Sequence, residues 1–239
     1  MTVAVVLPAY NEQGNLTPLV TRLAAILARS FTAGRIIVVN DGSTDGTAAE
    51  LEELRASLAA LDVVTHPGNR GFAAALKSGI ARAIELNDDV AVFMDSDLSH
   101  RPEDLPRLVN AIEQGADIAI GSRFVAGGGM ENVPWWRVWI SRSGNVVGRR
   151  YLGVGVRDLT SGYRAFRVRA LERIRLGEDG FTIQLESLVK GLAQGCRVTE
   201  VPIVLGRRVH GESHMSYTPA LFRDYWRLLL SCRRWLNDR

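Results

Sequence analysis

The stretch Val90-Ala-Val-Phe-Met-Asp-Ser-Asp-Leu-Ser-His100 joins an apolar run to an acidic turn. Its first five residues are apolar, which is typical of a strand buried on both faces of a parallel sheet. Asp95 and Asp97 follow directly, where such a strand would end. Because open α/β sheets bind ligands at the carboxyl ends of their strands, the stretch predicts both a fold class and a position for the site.

On both sides of this stretch, the first half of the chain alternates between strand and helix patterns. The predicted strands are 3–7, 35–39, 62–65, 90–94 and 117–121, and the predicted helices are 16–27, 45–58, 71–86 and 102–114. Alternation of this kind predicts an α/β fold, Rossmann-like, with a mostly parallel sheet flanked by helices.

The second half has a different pattern. Gly127-Gly128-Gly129 predicts a flexible joint, and residues 158–166 read as a polar loop that runs into a strand. Further elements are predicted as helices at 133–152, 181–193 and 220–236, a strand at 198–205 and a basic loop at 206–216. Since no repeat or low-complexity linker interrupts the chain, we predict one continuous domain at residues 1–216 and a C-terminal amphipathic helix within 217–239.

The composition is that of an ordinary globular protein. Of 239 residues, 46% are hydrophobic and 23% charged, which argues against disorder. A formal net charge of +3 gives no reason to expect nucleic acid as a partner. Two distant cysteines favour a reducing compartment. We expect no signal peptide and no membrane-spanning helix, because no apolar run reaches about 18 residues. The predicted location is therefore cytoplasmic.

Polar segments follow three of the predicted strands. They are Pro8–Glu12, Asn40–Thr47 and Asp95–His100. Each segment alone is explained by a turn and a helix cap. Three acidic segments at one edge of a sheet, however, indicate a binding site.

The sequence lacks two common phosphate-binding loops. Neither G-x-G-x-x-G after the first strand nor G-x-x-x-x-G-K-[ST] is present. If a nucleotide binds, a metal must therefore carry more of the phosphate charge. Asp95 and Asp97 are the candidate ligands, since two carboxylates suit a hard divalent cation such as Mg²⁺ or Mn²⁺ beside a diphosphate.

In combination, these motifs resemble the inverting glycosyltransferase family 2, which has the GT-A fold. The second half is similar to its dolichol-phosphate mannosyltransferase and polyprenyl-phosphate glycosyltransferase branch. The motifs run in order from about residue 3 to residue 216. They are Pro8–Glu12, Asp41–Thr47, Asn69-Arg-Gly71, Asp95-x-Asp97, Gly121-Ser-Arg123, Ser141-x-x-x-Asn145, Asp158-x-Thr160-Ser-Gly-Tyr-Arg164, Gln184-x-Glu186, Glu200-Val-Pro202 and Arg208-x-x-Gly211-x-Ser213.

The resemblance implies a role for particular residues. Base and ribose of the donor would contact Pro8, Tyr10, Glu12 and Asp41. Asp95 and Asp97 would hold metal and diphosphate, with Asp97 in direct metal contact. The acceptor phosphate would contact Arg123, Arg137 and Ser141, and Arg208 would reach the phosphates from the C-terminal loop. Asp95, Asp97, Arg123 and Arg208 are thus the predicted catalytic residues.

Three positions depart from the family pattern. His214 stands where the family often has Lys after Gly-x-Ser, which predicts a weaker or pH-dependent phosphate contact. Asn40 stands where many mannosyl members have an acid, and Ser99 where Gln is frequent. These departures leave the donor and the outer ligands of the metal open.

The expected activity is therefore an inverting, metal-dependent hexosyl transfer from a nucleotide sugar to a polyprenyl phosphate. GDP-mannose is the first expectation for the donor and UDP-glucose the second. One alternative is transfer to a carbohydrate hydroxyl, with Asp158 or Glu186 as the base. Another is a nucleotide-sugar-binding protein without catalysis, against which the intact acids and arginines argue.

A lipid acceptor predicts contact with a membrane surface. Trp135, Trp136 and Trp139 surround Arg137, a combination that favours the membrane interface. The last helix carries Trp, Leu and Arg in an interfacial pattern. The alternative is that both helices pack on the sheet. For Trp135–Trp139 the sequence favours the membrane interface. For the last helix it does not distinguish the membrane interface from packing on the sheet. The predicted protein is peripheral on the cytoplasmic membrane face.

Overall fold

The computed structural model describes residues 1–209 and 219–237. The strands, in chain order, are β1 (Thr2–Ala9), β2 (Ala33–Asn40), β3 (Leu61–Thr65), β4 (Val90–Phe93), β5 (Ile118–Ser122), β6 (Gly129–Met130), β7 (Arg164–Arg167), β8 (Val198–Pro202) and β9 (Val204–Leu205). The helices are α1 (Leu16–Ser30), α2 (Thr47–Ser57), α3 (Phe72–Glu85), α4 (Leu105–Glu113), α5 (Trp135–Leu152), α6 (Val168–Arg173), α7 (Ile183–Ala193) and α8 (Pro219–Asn237). A 3₁₀ turn at Pro102–Asp104 precedes α4.

Seven strands form one sheet in the order β3-β2-β1-β4-β7-β5-β8. Strands β1 to β4 are mutually parallel, and β5 is parallel to β8. Only β7 is antiparallel to its neighbours β4 and β5 among the described strands. The predicted mostly parallel α/β sheet is confirmed, and β7 divides it into two parallel sets.

Helices cover both faces of the sheet. Alternate residues of β1 enter opposite cores: Val5 packs in the core that contains α1 and α4, and Val6 in the core that contains α3 and α7. At Gly79 of α3, a Cβ would lie 2.2 Å from Val6 Cγ1, so this helix approaches β1 closely. The two apolar faces explain why β1 and β4 have continuous apolar runs.

The second half differs from prediction in three places. The predicted Gly127–Gly129 joint includes the start of β6, and α6 was not predicted. The single strand predicted at 198–205 is two strands in different sheets, because Ile203 turns inward between them. Its amide donates to Ser122 O at 3.0 Å, and its carbonyl accepts from the amide of Gly129 at 3.0 Å.

The last helix packs on the rest of the protein. Leu228, Leu229 and Cys232 are buried where α8 meets α5 and α7. The predicted helix at 220–236 is confirmed by α8. The proposed domain boundary between residues 216 and 217 lies outside the described residues.

Candidate active site

A cavity of about 1880 Å³ opens at the carboxyl ends of β1, β2 and β4. All the residues predicted to bind donor, metal or acceptor line it. They are Pro8, Tyr10, Glu12, Asp41, Asp95, Asp97, Arg123, Arg137, Ser141 and Arg208. The structure therefore brings together residues that lie up to 200 positions apart in the sequence, while their individual roles remain predictions.

Asp41 is held rigidly at the end of β2. Its Oδ1 accepts from the amide of Arg70 at 3.0 Å and its Oδ2 from the amide of Gly71 at 2.8 Å. His66 Nδ1 lies 2.6 Å from Asp41 Oδ1, and His66 Nε2 lies 2.9 Å from Ser78 Oγ. His66 thus fixes Asp41, a positioning role that an isolated histidine at a strand end did not reveal.

The turn that carries the two aspartates is tied to the neighbouring strand. Ser96 Oγ donates to the carbonyl of Pro8 at 2.7 Å, which joins this turn to the end of β1. Leu98 adopts φ 64°, a left-handed conformation that brings the amide of Ser99 to Asp97 Oδ1 at 3.0 Å. The turn is therefore built by local hydrogen bonds, and Asp97 is oriented by its own backbone.

His100 supports Asp95 rather than adding to a metal site. Its Nδ1 accepts from the amide of Asp95 at 3.3 Å and lies 3.7 Å from Asp95 Oδ2. Burial raises the pKa of Asp95, and the neighbouring carboxylate of Asp97 adds to this rise. Since two carboxylates repel each other here, a nearby cation would stabilise both.

The carboxylates at this turn fit a divalent cation only if a bound substrate supplies further oxygen ligands. Among the described residues, no group of three or more His, Cys, Asp or Glu side chains could hold a metal. Asp95 and Asp97 supply two carboxylates. Because Mg²⁺ is often bound by one or two carboxylates together with substrate phosphates, this pair suits a metal that arrives with a diphosphate.

Arg208 lies between acids of two strand ends. Its Nη2 is 2.6 Å from Glu12 Oε2, and its Nη1 is 3.6 Å from Asp97 Oδ2. Burial raises the pKa of Glu12, and Arg208 opposes the rise. The amide of Val209 donates to the Asp97 carbonyl at 3.2 Å, so the start of the basic loop lies on the aspartate turn. His214, Gly211 and Ser213 lie outside the described residues.

Arg123 is clamped by Asp158. Arg123 Nε donates to Asp158 Oδ2 at 2.7 Å and Nη2 to Oδ1 at 2.6 Å, while Nη2 also donates to Thr160 Oγ1 at 2.8 Å. Asp158 is fully buried, which favours its neutral form, but the charge and hydrogen bonds of Arg123 outweigh burial and lower the pKa of Asp158. The pair therefore presents a fixed guanidinium at the cavity wall.

Neither candidate base is placed to act as one. Asp158 has both oxygens engaged by Arg123, and Glu186 accepts from the amides of Gly177 and Glu178 at 2.8 and 2.9 Å and from Lys190. Both acids are buried, and neither lines the cavity. The expectation that one of them deprotonates a hydroxyl acceptor is therefore wrong for this geometry; both stabilise the fold around the site.

Asn145 positions the helix that carries Arg137 and Ser141. Its Nδ2 donates to the Ser141 carbonyl at 2.8 Å and to Thr160 Oγ1 at 3.1 Å, and its Oδ1 accepts from the amide of Leu159 at 2.6 Å. Arg137 and Ser141 lie one turn apart on α5, so they present to the same side. The loop that clamps Arg123 thus also orients the other predicted acceptor residues.

The helices α5 and α8 carry most of the exposed apolar surface. Nine large hydrophobic side chains are exposed among the described residues, and seven of them lie on these two helices. The seven are Trp135, Trp136, Trp139, Val146, Val147, Trp226 and Leu230. Trp139, Val147 and Trp226 also line the cavity, so the apolar surface continues into the site. In the described part of the chain, no helix is long and apolar enough to cross a bilayer.

Comparison with known proteins gives one family. The model of the family "Glycosyl transferase family 2" matches residues 4–175, well over half of the chain. A polyprenol monophosphomannose synthase of Mycolicibacterium smegmatis is 40% identical over 216 residues, covering 89% of this chain and 80% of that protein. A dolichol-phosphate mannosyltransferase of Pyrococcus furiosus is 37% identical across 100% of this chain, which spans 65% of that protein's length.

A third relative agrees with this assignment, and a solved structure has the same fold. An undecaprenyl-phosphate mannosyltransferase of Micrococcus luteus is 36% identical over 90% of this chain and 88% of its own length. Glucosyl-3-phosphoglycerate synthase of Mycobacterium tuberculosis, solved with Mn²⁺, UDP and phosphoglyceric acid, superimposes with a TM-score of 0.71 at 23% identity, covering 97% of this chain and 78% of that one. At that identity the likeness concerns the fold.

Proposed function

Because the chain belongs to glycosyl transferase family 2, we propose that it transfers mannose from a nucleotide sugar to a polyprenyl phosphate with inversion. The observation that carries the proposal is the composition of one cavity: Asp95 and Asp97 line it together with Arg123 and Arg137. Carboxylates suit a metal-bound leaving diphosphate and guanidinium groups suit an acceptor phosphate. The names of the three curated relatives support mannose and a polyprenyl phosphate.

In this proposal the donor would lie along the ends of β1, β2 and β4. Pro8, Tyr10 and Glu12 would contact the base and ribose together with Asp41, whose carboxylate is fixed by the backbone amides before α3. A Mg²⁺ or Mn²⁺ ion held by the two aspartates and the diphosphate would offset the negative charge that grows on the leaving group. GDP-mannose is the first choice of donor and UDP-glucose the second.

The acceptor needs positioning rather than a base. A phosphate monoester is largely dianionic at neutral pH, because its second pKa is near 6. Its oxygen can therefore attack the anomeric carbon without losing a proton to the protein. This agrees with the engagement of Asp158 and Glu186 in hydrogen bonds. Arg123, Arg137 and Ser141 would hold the phosphate in line with the leaving group.

Arg208 lies where it could contact the leaving diphosphate of the donor. Its guanidinium already lies within 3.6 Å of Asp97 and pairs with Glu12. When the donor binds, exchange of the Asp97 contact for a diphosphate oxygen would carry Arg208 onto the leaving group. The chain between Gly206 and Val209 would then cover the donor and exclude water.

The acceptor lipid implies contact with a membrane surface. The exposed tryptophans of α5 and α8 stand beside arginines: the Arg137 guanidinium lies 5.2 Å from the Trp136 ring centroid, and Arg227 follows Trp226 in the sequence. This combination suits the headgroup region of an anionic bilayer. We propose that these two helices form a peripheral membrane-binding surface on the cytoplasmic face. The continuity of this surface with the cavity would let the isoprenoid chain remain near the lipid while its phosphate enters the site.

The test is a donor panel with product mass as readout. GDP-mannose and UDP-glucose are each incubated with a short polyprenyl phosphate, with a carbohydrate hydroxyl acceptor, or with no acceptor, and with Mg²⁺ or Mn²⁺. We expect a polyprenyl phosphomannose product that requires the metal. Product only on the hydroxyl acceptor would replace the proposed acceptor. Binding without any product or hydrolysis would favour a nucleotide-sugar-binding protein.

A further inference from the structure

Two polar side chains in the wall of the cavity lack a hydrogen-bond partner among the described residues. The atoms are Ser161 Oγ and Gln184 Oε1. Both residues are more than nine-tenths buried, at 2% and 4% exposed, and both line the cavity. More than about 90% of buried polar groups are hydrogen-bonded, and leaving one unpaired is unfavourable. Two such atoms in one cavity wall indicate a polar ligand.

Arg164 fixes the backbone of both residues through hydrogen bonds. This fully buried guanidinium donates to the carbonyls of Ser161 at 2.7 Å, of Leu159 at 2.7 Å, and of Gln184. Burial lowers the pKa of Arg164 to about 10, so it stays charged at neutral pH. Because one guanidinium binds both backbones, Ser161 and Gln184 are close together and fixed. Their side chains are not used by this anchor.

The loop that carries Ser161 contacts one of the two aspartates. A Cβ built on Gly162 would lie 3.2 Å from Asp95 Oδ1, so the carboxylate rests against the backbone beside Ser161. The absence of a side chain at residue 162 keeps this approach open. Ser161 therefore adjoins the backbone that meets the acid expected nearer the donor, and Gln184 stands at the start of α7 in the same cavity wall.

The chemistry of these atoms selects among the parts of the substrates. Gln184 Oε1 is an acceptor and must receive a hydrogen bond, which a phosphate dianion or an isoprenoid chain cannot give. Ser161 Oγ can donate and accept. A sugar hydroxyl offers both functions. Ribose hydroxyls offer the same functions, but the ribose is expected at the ends of β1 and β2, so the hexose is the part of the substrates that remains for this pair.

We infer that Ser161 and Gln184 bind hydroxyl groups of the transferred hexose and contribute to the choice of sugar. The inference rests on the proposed function, because it takes a nucleotide sugar as the ligand. It adds residues that hold the sugar itself, whereas the aspartates act on the diphosphate. A site that hydrogen-bonds a sugar hydroxyl discriminates strongly against analogues that lack it.

The test compares binding of a nucleotide sugar with binding of the nucleotide alone. Gln184→Met keeps the size of the side chain and removes its acceptor, and Ser161→Ala removes the hydroxyl. We expect each variant to weaken GDP-mannose or UDP-glucose binding, and to lower kcat/KM, by about 5-fold to 100-fold, the range for one buried hydrogen bond. Binding of GDP or UDP should change by less than about twofold.

A matched control comes from the same helix. Ser187 is equally buried, donates to the Gln184 carbonyl at 3.0 Å and does not line the cavity. Ser187→Ala should therefore leave the difference between nucleotide-sugar and nucleotide affinity unchanged. Thermal unfolding of all three variants checks that the fold is kept.

Deoxy donors identify the hydroxyl that is bound. GDP-mannose analogues that lack one hydroxyl should bind the wild type more weakly, and one of them should lose no further affinity in Gln184→Met. Equal losses for nucleotide and nucleotide sugar, or no loss in either variant, would overturn the inference. Wild-type protein that binds the sugar nucleotide but transfers nothing to lipid would instead overturn the proposed function alone. Binding of none of these ligands would overturn both.

Discussion

The acids of two regions differ in their hydrogen-bond partners: the donor half, around the turns after β1, β2 and β4, and the acceptor half, around Arg123, Asp158 and α7. Asp41 and Asp97 receive hydrogen bonds from backbone amides of nearby turns, and both line the cavity. Asp158 and Glu186 are buried away from it, where Asp158 pairs with Arg123 and Glu186 with Lys190 and two amides. An acid that lines the cavity and is held by backbone amides stays available to a ligand, whereas an acid buried behind the cavity wall and paired with a basic side chain belongs to the scaffold.

The largest expected effect is on activity in the donor half. Asp97→Asn should lower kcat/KM by about 10³-fold, because it weakens a charge contact that a metal uses to stabilise the leaving group by several kcal/mol. The free energy of unfolding should change little, since Asp97 faces the cavity. Steady-state kinetics at saturating Mn²⁺ and urea unfolding measure the two quantities. Near-normal turnover of this variant would remove Asp97 from the metal site.

The next effect is on stability in the acceptor half. Asp158→Asn leaves the Arg123 guanidinium without its carboxylate and should cost about 3 kcal/mol in the free energy of unfolding at pH 7. Because the folded pKa of Asp158 is lowered, its contribution is present above the unfolded pKa of about 3.9 and is lost as the pH falls through the folded value. The stability gap between wild type and variant should therefore narrow below about pH 4.

Urea unfolding at several pH values measures this gap. A variant as stable as the wild type at pH 7, but inactive, would show instead that Asp158 acts in the chemistry. That result would erase the contrast between the two halves.

A smaller effect is expected on membrane binding. Replacing Trp135 and Trp139 by serine removes two largely exposed aromatic side chains from α5. Affinity for vesicles with anionic lipid should fall at least about tenfold, because less apolar surface is buried at the interface. Arg55→Ser on α2 is the control outside both helices. If the wild-type protein floats neither with neutral nor with anionic vesicles, the membrane role is contradicted.

The smallest effect is expected for a surface pair in the donor half. Arg22 and Glu103 form a salt bridge at 2.8 Å with both side chains about half exposed, at 47% and 56%. Glu103→Gln should change the free energy of unfolding by less than about 0.5 kcal/mol, since solvent screens such pairs. If Glu103→Gln lowered the free energy of unfolding as much as Asp158→Asn, burial would not explain the difference between the exposed Arg22–Glu103 pair and the buried Arg123–Asp158 pair.

The sequence predicts the donor half better than the acceptor half, because the donor half is built from local patterns and the acceptor half from long-range contacts. Its strands and helices are local patterns, and the acidic turns follow the strand ends at which the cavity opens. The antiparallel direction of β7 depends on pairs with β4 that are 71 to 77 positions apart, from Phe93–Arg164 to Val90–Arg167. The clamp between Arg123 and Asp158 joins residues 35 positions apart, and no local pattern encodes either contact. Asp158 and Glu186 therefore read as free acids. Gln184 belongs to the Gln184-x-Glu186 motif, but its contacts, like those of His66, depend on residues distant in the sequence and could not be predicted.

The position of β7 has a consequence for how such an enzyme changes over evolutionary time. Since β7 runs against its neighbours, the loop that precedes it reaches the edge where β4 ends, and places Gly162 against Asp95 while Thr160 binds Arg123. One short loop thus touches both proposed substrate regions. A mutation that adapts this loop to a new lipid would also alter the surroundings of the sugar nucleotide, so the two specificities would be inherited together.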